Sequence, residues 1–479
     1  MTKGSTRMTE NKHFTYYLVL LHLLLIPLVY FKTYIGPIPL SIEVVLIPLL
    51  VLAFLYDYKI GRITFSTINI WPFVIAFAIY FMITVISLTK AVNLTSGLME
   101  IARYLSYVFL FLIVLKVKFT QKQYYHFAIT FGISVVLVGL YGLAQYVFNI
   151  NLNTAGMFAL QEAKGRVYST FINPNYYSAF VNFVIPTLLL LSIIYFKNKK
   201  AQLFVFAIFA IYVMNMVLTY TRAAWVIMAG AFVLTALLTF KPFMKNIFKP
   251  HMIVAFLLLG TFVYHMPDFQ SRTSSAIYAA ESLLFGNRAA TPADEVEEGD
   301  PEEFIDEDGD GIPDVIIDEP ERPTDPATER AVVSRMALWK TGYYMFKENP
   351  VLGVGVGNYG DRYKEFVTKY PELYLGHERY SVHNSFLKIM AETGAIGILS
   401  FISIYIVACV YLVKLYIRQH NKLAQLLVVG LFVGALTYLM QNMSNNLIFI
   451  PQINIVFWLL SAVVIGYAHT YRETKETYM

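Results

Sequence analysis

Four ionisable side chains stand out for their surroundings. Arg166 lies in Gly165-Arg166-Val167-Tyr168-Ser169-Thr170-Phe171-Ile172-Asn173-Pro174-Asn175. Arg222 follows Thr219-Tyr220-Thr221 and opens an apolar run. Arg335 precedes Met336-Ala337-Leu338-Trp339, and His383 heads His383-Asn384-Ser385-Phe386-Leu387. The guanidinium fork matches phosphate oxygens and stays charged when partly desolvated. A histidine can accept the proton of a hydroxyl. Three arginines and a histidine on one side of a membrane would therefore suit a lipid-linked pyrophosphate and a nucleophilic hydroxyl. Each residue also has a plainer reading. Arg222 could snorkel from a helix end, Arg335 could sit on a solvated helix face, Arg166 could be a loop charge, and His383 could be a polar residue at a helix start.

The elements that would position these residues are apolar. Hydrophobic residues make up 57% of the 479-residue chain, too many for an ordinary soluble domain. About twelve stretches are long enough, or nearly so, to cross a ~30 Å hydrocarbon core as helices. They are 14–31, 38–56, 69–88, 101–117, 124–147, 176–196, 201–219, 222–240, 250–266, 394–416, 422–440 and 450–469. The expected fold is an all-α integral membrane protein with one large extracytoplasmic loop. Residues 1–266 would carry nine helices, 267–393 the loop and 394–479 the last three. The fourth helix is short and begins near Arg103. Alternate connections carry the lysines and arginines, among them Lys197/Lys199/Lys200, Lys241/Lys245/Lys249 and Lys414/Arg418/Lys422. The positive-inside rule then puts both termini in the cytoplasm and 148–175, 219–222 and 267–393 outside the plasma membrane. The single cysteine, Cys409, allows no intramolecular disulfide.

Within the loop, 17 of the 32 Asp and Glu residues fall between Asp294 and Glu329. The acidic stretch 294–328 is too poor in apolar residues to fold alone. From 329 to 348 the pattern turns helical, with Val332, Met336, Trp339, Tyr343 and Phe346 able to share one face. Asn349-Pro350 ends it. Gly355, Gly357 and Gly360 make a literal G-x-G-x-x-G, but no βαβ context supports a dinucleotide site, and the glycines instead let backbone turn tightly against a neighbour.

Taken in order, these stretches resemble the O-antigen ligase and Wzy-type polymerase family of membrane glycosyltransferases, in which a teichuronic-acid-type polymerase would fall. The resemblance runs over most of residues 160–400. It rests on Thr170-Phe171-x-Asn173-Pro174-Asn175, Arg222 at a helix start, Arg335-x-x-x-Trp339, Asn349-Pro350-Val351-Leu352-Gly353-Val354-Gly355, His383-Asn384 and Glu392-Thr393-Gly394-Ala395-Ile396-Gly397. It implies a transferase that needs no cofactor for catalysis. The donor would be an undecaprenyl-pyrophosphate-linked glycan, the acceptor another glycan or a lipid, with no nucleic acid partner. In the resemblance Arg222 and Arg335 act at the diphosphate and His383 on the acceptor hydroxyl. Arg166, Asn173, Asn175, Trp339 and Asn384 form the expected substrate-binding set.

One segment departs from the family pattern. Asp306, Asp308, Asp310 and Asp314, with Gly311 at the turn, have the spacing of a calcium loop, and Asp318 could close it in place of the usual glutamate. A weak structural Ca2+ site is expected there, the plainer reading being a solvated acidic linker. Two rival functions remain. A lipid-linked glycan flippase should place ionisable residues inside the membrane around a central path. An adaptor would use the acidic loop to recruit a partner and catalyse nothing.

Overall fold

The computed structural model describes residues 13–30, 32–35, 38–150, 166–171, 173–266, 269, 273 and 326–472; for 32–35, 38–40 and 326–333 it describes the backbone path only. The five calcium-loop aspartates lie outside these residues. The described fold is helical apart from a two-stranded antiparallel ribbon, Lys32–Ile35 with Ile38–Ser41.

Each of the twelve apolar stretches coincides with a helix. Those the argument uses are α1 (Phe14–Leu28), α2 (Ile42–Lys59), α3 (Trp71–Ser87), α4 (Leu94–Lys116), α5 (Gln121–Phe148), α6 (Pro174–Leu190) and α7 (Lys199–Leu218). They continue with α8 (Arg222–Leu238), the short α9 (Phe240–Ile247) and α10 (Pro250–Tyr264). After the cap helices α11 (Pro326–Glu348) and α12 (Tyr359–Lys369) come α13 (Ser385–Ile417), α14 (Lys422–Gln441) and α15 (Pro451–Thr470). Among the described residues, eight helices are long and apolar enough to cross a membrane, or nine if α8 and α9, bent by 105° to each other, count as one span. The chain is thus a multi-pass membrane protein. The first, second and ninth stretches form helices of 15, 18 and 15 residues.

Three boundaries differ from expectation; in the first, residues 38–41 of the second stretch form a strand and the helix starts at Ile42. Asn93 caps α4 by accepting from Ser96 N at 3.2 Å, so the fourth helix starts at Leu94 and Arg103 lies inside it. The last-but-two helix starts at Ser385 rather than 394, and breaks at Gly394 (φ 70°, ψ −169°). The break is filled by residues 350–357. Ala395 N donates to Pro350 O, Val354 N to Ala391 O and Gly355 N to Glu392 O, at 2.8–3.0 Å. Gly353, also at positive φ (67°), meets the Glu392–Thr393 backbone so closely that any Cβ would collide with it. The glycine run therefore serves close backbone approach.

The main core fills the bundle. α6 and α14 pack along their length, as do α3 with α13, α4 with α15 and α1 with α5. Residues 326–384 form a cap with its own small core of Leu338, Met345, Tyr359, Tyr363, Phe366 and Val382. The cap helix is present as expected, but its buried face is not the expected one. Leu338, Thr341 and Met345 are buried, while Met336 and Tyr343 are exposed. The reason is Gly342, whose missing side chain lets α11 sit down on Val382 and Leu387 and so sets the helix's rotation. Glu348 on α11 accepts from Lys369 Nζ at 2.6 Å and from the Tyr370 hydroxyl at 2.8 Å. That ammonium contact holds the Glu348 carboxylate below its ordinary range.

Candidate functional site

Local sequence builds the site in three pieces. The first is 166–175. Asn173 is the N-cap of α6, accepting from Asn175 N at 2.7 Å, with Pro174 at the first helical position, where a missing N–H costs nothing. Gln145, near the end of α5, accepts from Ser169 N at 2.6 Å and returns a bond to Ser169 O. Arg166 is half-buried and donates Nε to Thr219 O (3.0 Å) and Nη2 to Thr221 Oγ1 (3.4 Å).

The second piece is the α7–α8 turn. Val167 N donates to Leu218 O, which lays the first piece against it. Thr221 Oγ1 donates to Asn175 Oδ1 at 3.3 Å. Arg222, half-buried, opens α8 directly after Thr221. Arg166, Asn173, Asn175 and Arg222 are thus brought together at one end of the bundle.

The third piece is the His383 turn. His383 is buried at positive φ (48°), and Asn384 caps α13 by accepting from Leu387 N at 3.0 Å. Four non-glycine residues among the described ones have positive φ, and three of them, Ser169, Tyr220 and His383, lie in these three pieces. Such backbone persists only where its surroundings over-determine it.

A buried polar chain joins the pieces. Ser178, one turn beyond Asn175, accepts from Gln441 Nε2 at 3.2 Å. The next residue, Asn442, accepts from Ser385 Oγ at 2.6 Å through its side chain and from Ser385 N at 2.9 Å through its backbone. Asn446 Nδ2 bonds Ser381 Oγ. The connection Gln441-Asn442-Met443-Ser444-Asn445-Asn446 thus holds the His383 turn against α6. Among the described residues, Gln441 Oε1 and Asn446 Oδ1 are buried with no hydrogen-bond partner. Residues 441–446 were not singled out from sequence, although four amides in six residues within an apolar chain are a readable signal.

Arg335 and Trp339 stand apart, on α11. Arg335 is exposed and lies seven residues before Gly342, so about 10 Å along the helix from where Val382 and Leu387 touch it. Trp339 Nε1 is buried and, among the described residues, unpartnered. A strut fixes this helix relative to the His383 helix. The Tyr359 hydroxyl donates to Leu338 O at 3.1 Å, and Tyr359 N donates to Glu392 Oε1 at 2.9 Å. Burial, with Tyr363 and Glu392 nearby, raises the Tyr359 hydroxyl well above its ordinary range, so it stays a protonated donor.

Beneath the turn lies a charged group that sequence reading missed. Glu100, Lys388 and Glu392 are all buried. Arg103 Nη1 bonds Glu100 Oε2 at 3.0 Å and Phe449 O at 3.1 Å, and Lys388 Nζ stands 4.2 Å from the centre of the Phe449 ring. The spacing 384, 388, 392 puts Lys388 and Glu392 on one face of α13 below the Asn384 cap.

Comparison with known proteins agrees with the motifs. Residues 207–402 match the family described as O-antigen ligase. That stretch contains Arg222, Arg335, Trp339, His383 and Asn384, and ends within α13. The chain is also 26% identical over 148 residues to the "Teichuronic acid biosynthesis protein TuaE" of Bacillus subtilis (strain 168), a match covering 30% of this chain and 28% of that protein. Residues 207–402 are thus similar to the O-antigen ligase family, over less than half of the chain.

Proposed function

We propose that this protein transfers a glycan from undecaprenyl pyrophosphate to an acceptor hydroxyl, polymerising or ligating a surface polysaccharide at the outer face of the plasma membrane. The observation that supports the reading is the polar chain through Arg166, Thr221 and Asn175 and through Ser178, Gln441, Asn442 and Ser385, close in sequence to Arg222 and His383. In this reading Arg222, with Arg335 closing from α11, holds the pyrophosphate and stabilises the charge that grows as it leaves. His383 takes the proton from the acceptor hydroxyl. That oxygen attacks the anomeric carbon from the face opposite the pyrophosphate, the C–O bond to phosphate breaks, and configuration inverts. Arg166, Asn173, Asn175, Trp339 and Asn384 line and orient the substrates. No metal is invoked in these steps.

The test is purified protein with lipid-pyrophosphate glycan and an acceptor. Lengthened or transferred glycan is expected, and its absence under any acceptor condition rejects the reading. Topology is tested separately: Asp300→Cys should react with an impermeant thiol reagent in intact cells, once any outer-membrane barrier is opened. Labelling only after lysis would overturn the outer-face assignment. We also propose that Ca2+ orders residues 305–319 through Asp306, Asp308, Asp310, Asp314 and Asp318. Millimolar calcium should protect this stretch from protease, and Asp308→Ala with Asp310→Ala should remove the protection; equal cleavage with calcium and with chelator would leave an acidic linker.

One observation favours a lipid-linked glycan transporter as second reading. Glu100, Lys388 and Glu392 are buried among apolar helices, where ionisable groups commonly mark a transport path. Movement of lipid-linked glycan across a liposome without new glycosidic bonds would support it.

A further inference from the structure

The opposite end of the bundle carries a second cationic surface. α7 runs 20 residues, about 30 Å, from the α7–α8 turn to Lys199. There, two basic connections converge. His251 Nε2 lies 2.9 Å from Gln202 Oε1, and the ring is close enough to both Lys199 and Lys249 to feel their charge. α9 packs on the π-helical turn Leu191–Tyr195 that follows α6, two residues before Lys197 in sequence. Lys197, Lys199, Lys200, Lys241 and Lys245 are exposed and Lys249 half-exposed. No Asp or Glu occurs anywhere from 197 to 251.

The geometry of α9 says where this surface lies. It is bent 105° from α8, so if α8 crosses the membrane, α9 runs nearly in the membrane plane. Phe243 anchors it in the core, while Phe240 and Phe248 at its two ends are 58% and 64% exposed. Lys241 and Lys245, one turn apart, share a face. In-plane aromatics flanked by lysines place the ammonium groups at headgroup depth. A compact ammonium suits a mobile phosphodiester as a point charge, unlike the guanidinium fork.

We infer that α9 and the adjoining lysines form a binding site for acidic phospholipid headgroups, built from Lys199, Lys241, Lys245 and Lys249 with Phe240 and Phe248 as apolar flanks. This inference does not depend on the transfer reaction. The test is native mass spectrometry of the full chain in neutral detergent, titrated with phosphatidylglycerol and with phosphatidylcholine of the same acyl chains. Preferential phosphatidylglycerol adducts are expected on the wild type. In Lys241→Gln/Lys245→Gln/Lys249→Gln they should weaken about five-fold per lysine, the equivalent of ~1 kcal/mol each. Should that variant fail to purify, Lys245→Gln alone carries the same reading at about five-fold. Equal binding of the two lipids, or an unchanged adduct pattern in the variant, overturns the site. Displacement of the lipid by millimolar inorganic phosphate would also overturn it, since the surface would then be selecting a soluble anion.

Discussion

The two ends of the bundle carry positive charge in different ways. At one end Arg166 is half-buried, its guanidinium donating to a carbonyl and a hydroxyl, and Arg222 sits beside it next to buried amides. At the other end, lysines stand exposed without an acid in the surrounding sequence. The first arrangement holds a charge in one direction, as a reaction requires. The second supplies a diffuse field, as membrane orientation and headgroup contact require. Counting basic residues would not separate the two ends; counting what holds each one does.

The largest effect should come from removing the proposed base. His383→Ala is expected to lower transfer by ~10²–10⁴ while donor binding persists. The left-handed backbone at this position would be eased little, because alanine also disfavours positive φ. His383→Asn keeps a residue tolerant of that φ and separates the two effects. Normal turnover in the asparagine variant would reduce His383 to a turn residue.

Next in size are the arginines. Arg222→Ala should cost ~10²–10³ in transfer with the protein still inserted, as loss of a preorganised charge-stabilising donor does. Arg222→Lys should recover part of it, since a point charge cannot reproduce the fork. Arg335→Ala should also cost activity, chiefly in donor affinity, because its exposed side chain can close on the pyrophosphate only from α11. Wild-type turnover in both alanine variants would break the assignment of this end to pyrophosphate.

A charge-conserving exchange sharpens the comparison directly. Arg166→Lys should lower transfer about ten-fold or more, since it keeps the charge but loses the Nε bond to Thr219 O, worth ~1.5–3 kcal/mol as a charge-assisted contact. Lys245→Arg at the other end keeps the charge and, among the described residues, has no fixed partner to lose; turnover and lipid adducts should stay at wild-type levels. Equal losses from both exchanges would mean the two ends do not differ as described.

Much of this was legible in the sequence, because a hydrocarbon core imposes length and hydropathy on every crossing helix. All twelve apolar stretches form helices. The motif residues of 166–175, 222 and 383–384 do meet at one end, although 172 lies outside the described residues. What could not be read depended on packing across distant elements. The rotation of α11 follows from Gly342 meeting Leu387 and Val382, not from its own apolar stripe. Glu392 was read only as the start of the last resemblance stretch, yet it is a buried acceptor for Tyr359 N. Glu100 lay just before the fourth apolar stretch and Lys388 in the expected loop, so neither was placed inside a helix. The amides of 441–446 carry no charge and match no short catalytic motif, so only their contacts reveal them.

The smallest predicted effect tests whether the cap belongs to the site at all. The arginine end is built from two bodies, the bundle and the cap, and Tyr359 is bonded to both through Leu338 O and Glu392. Tyr359→Phe removes one buried hydrogen bond, worth ~1 kcal/mol, and leaves one carbonyl unpaired. The ring still fills the small core, so insertion and overall fold should survive. If the strut fixes Arg335 relative to His383, transfer should fall about five-fold, mostly as a higher KM for the lipid donor. Spin labels at Lys340→Cys and Ile396→Cys, both exposed, in a Cys409→Ser background should show a broader distance distribution in the variant. A broadened distribution with unchanged kinetics would mean that cap position does not govern catalysis. An unchanged distribution with lowered kinetics would place the effect of Tyr359 elsewhere than in α11. Only the two changes together support a site whose cations are held in place by two packed bodies, as the opposite end's lysines are not.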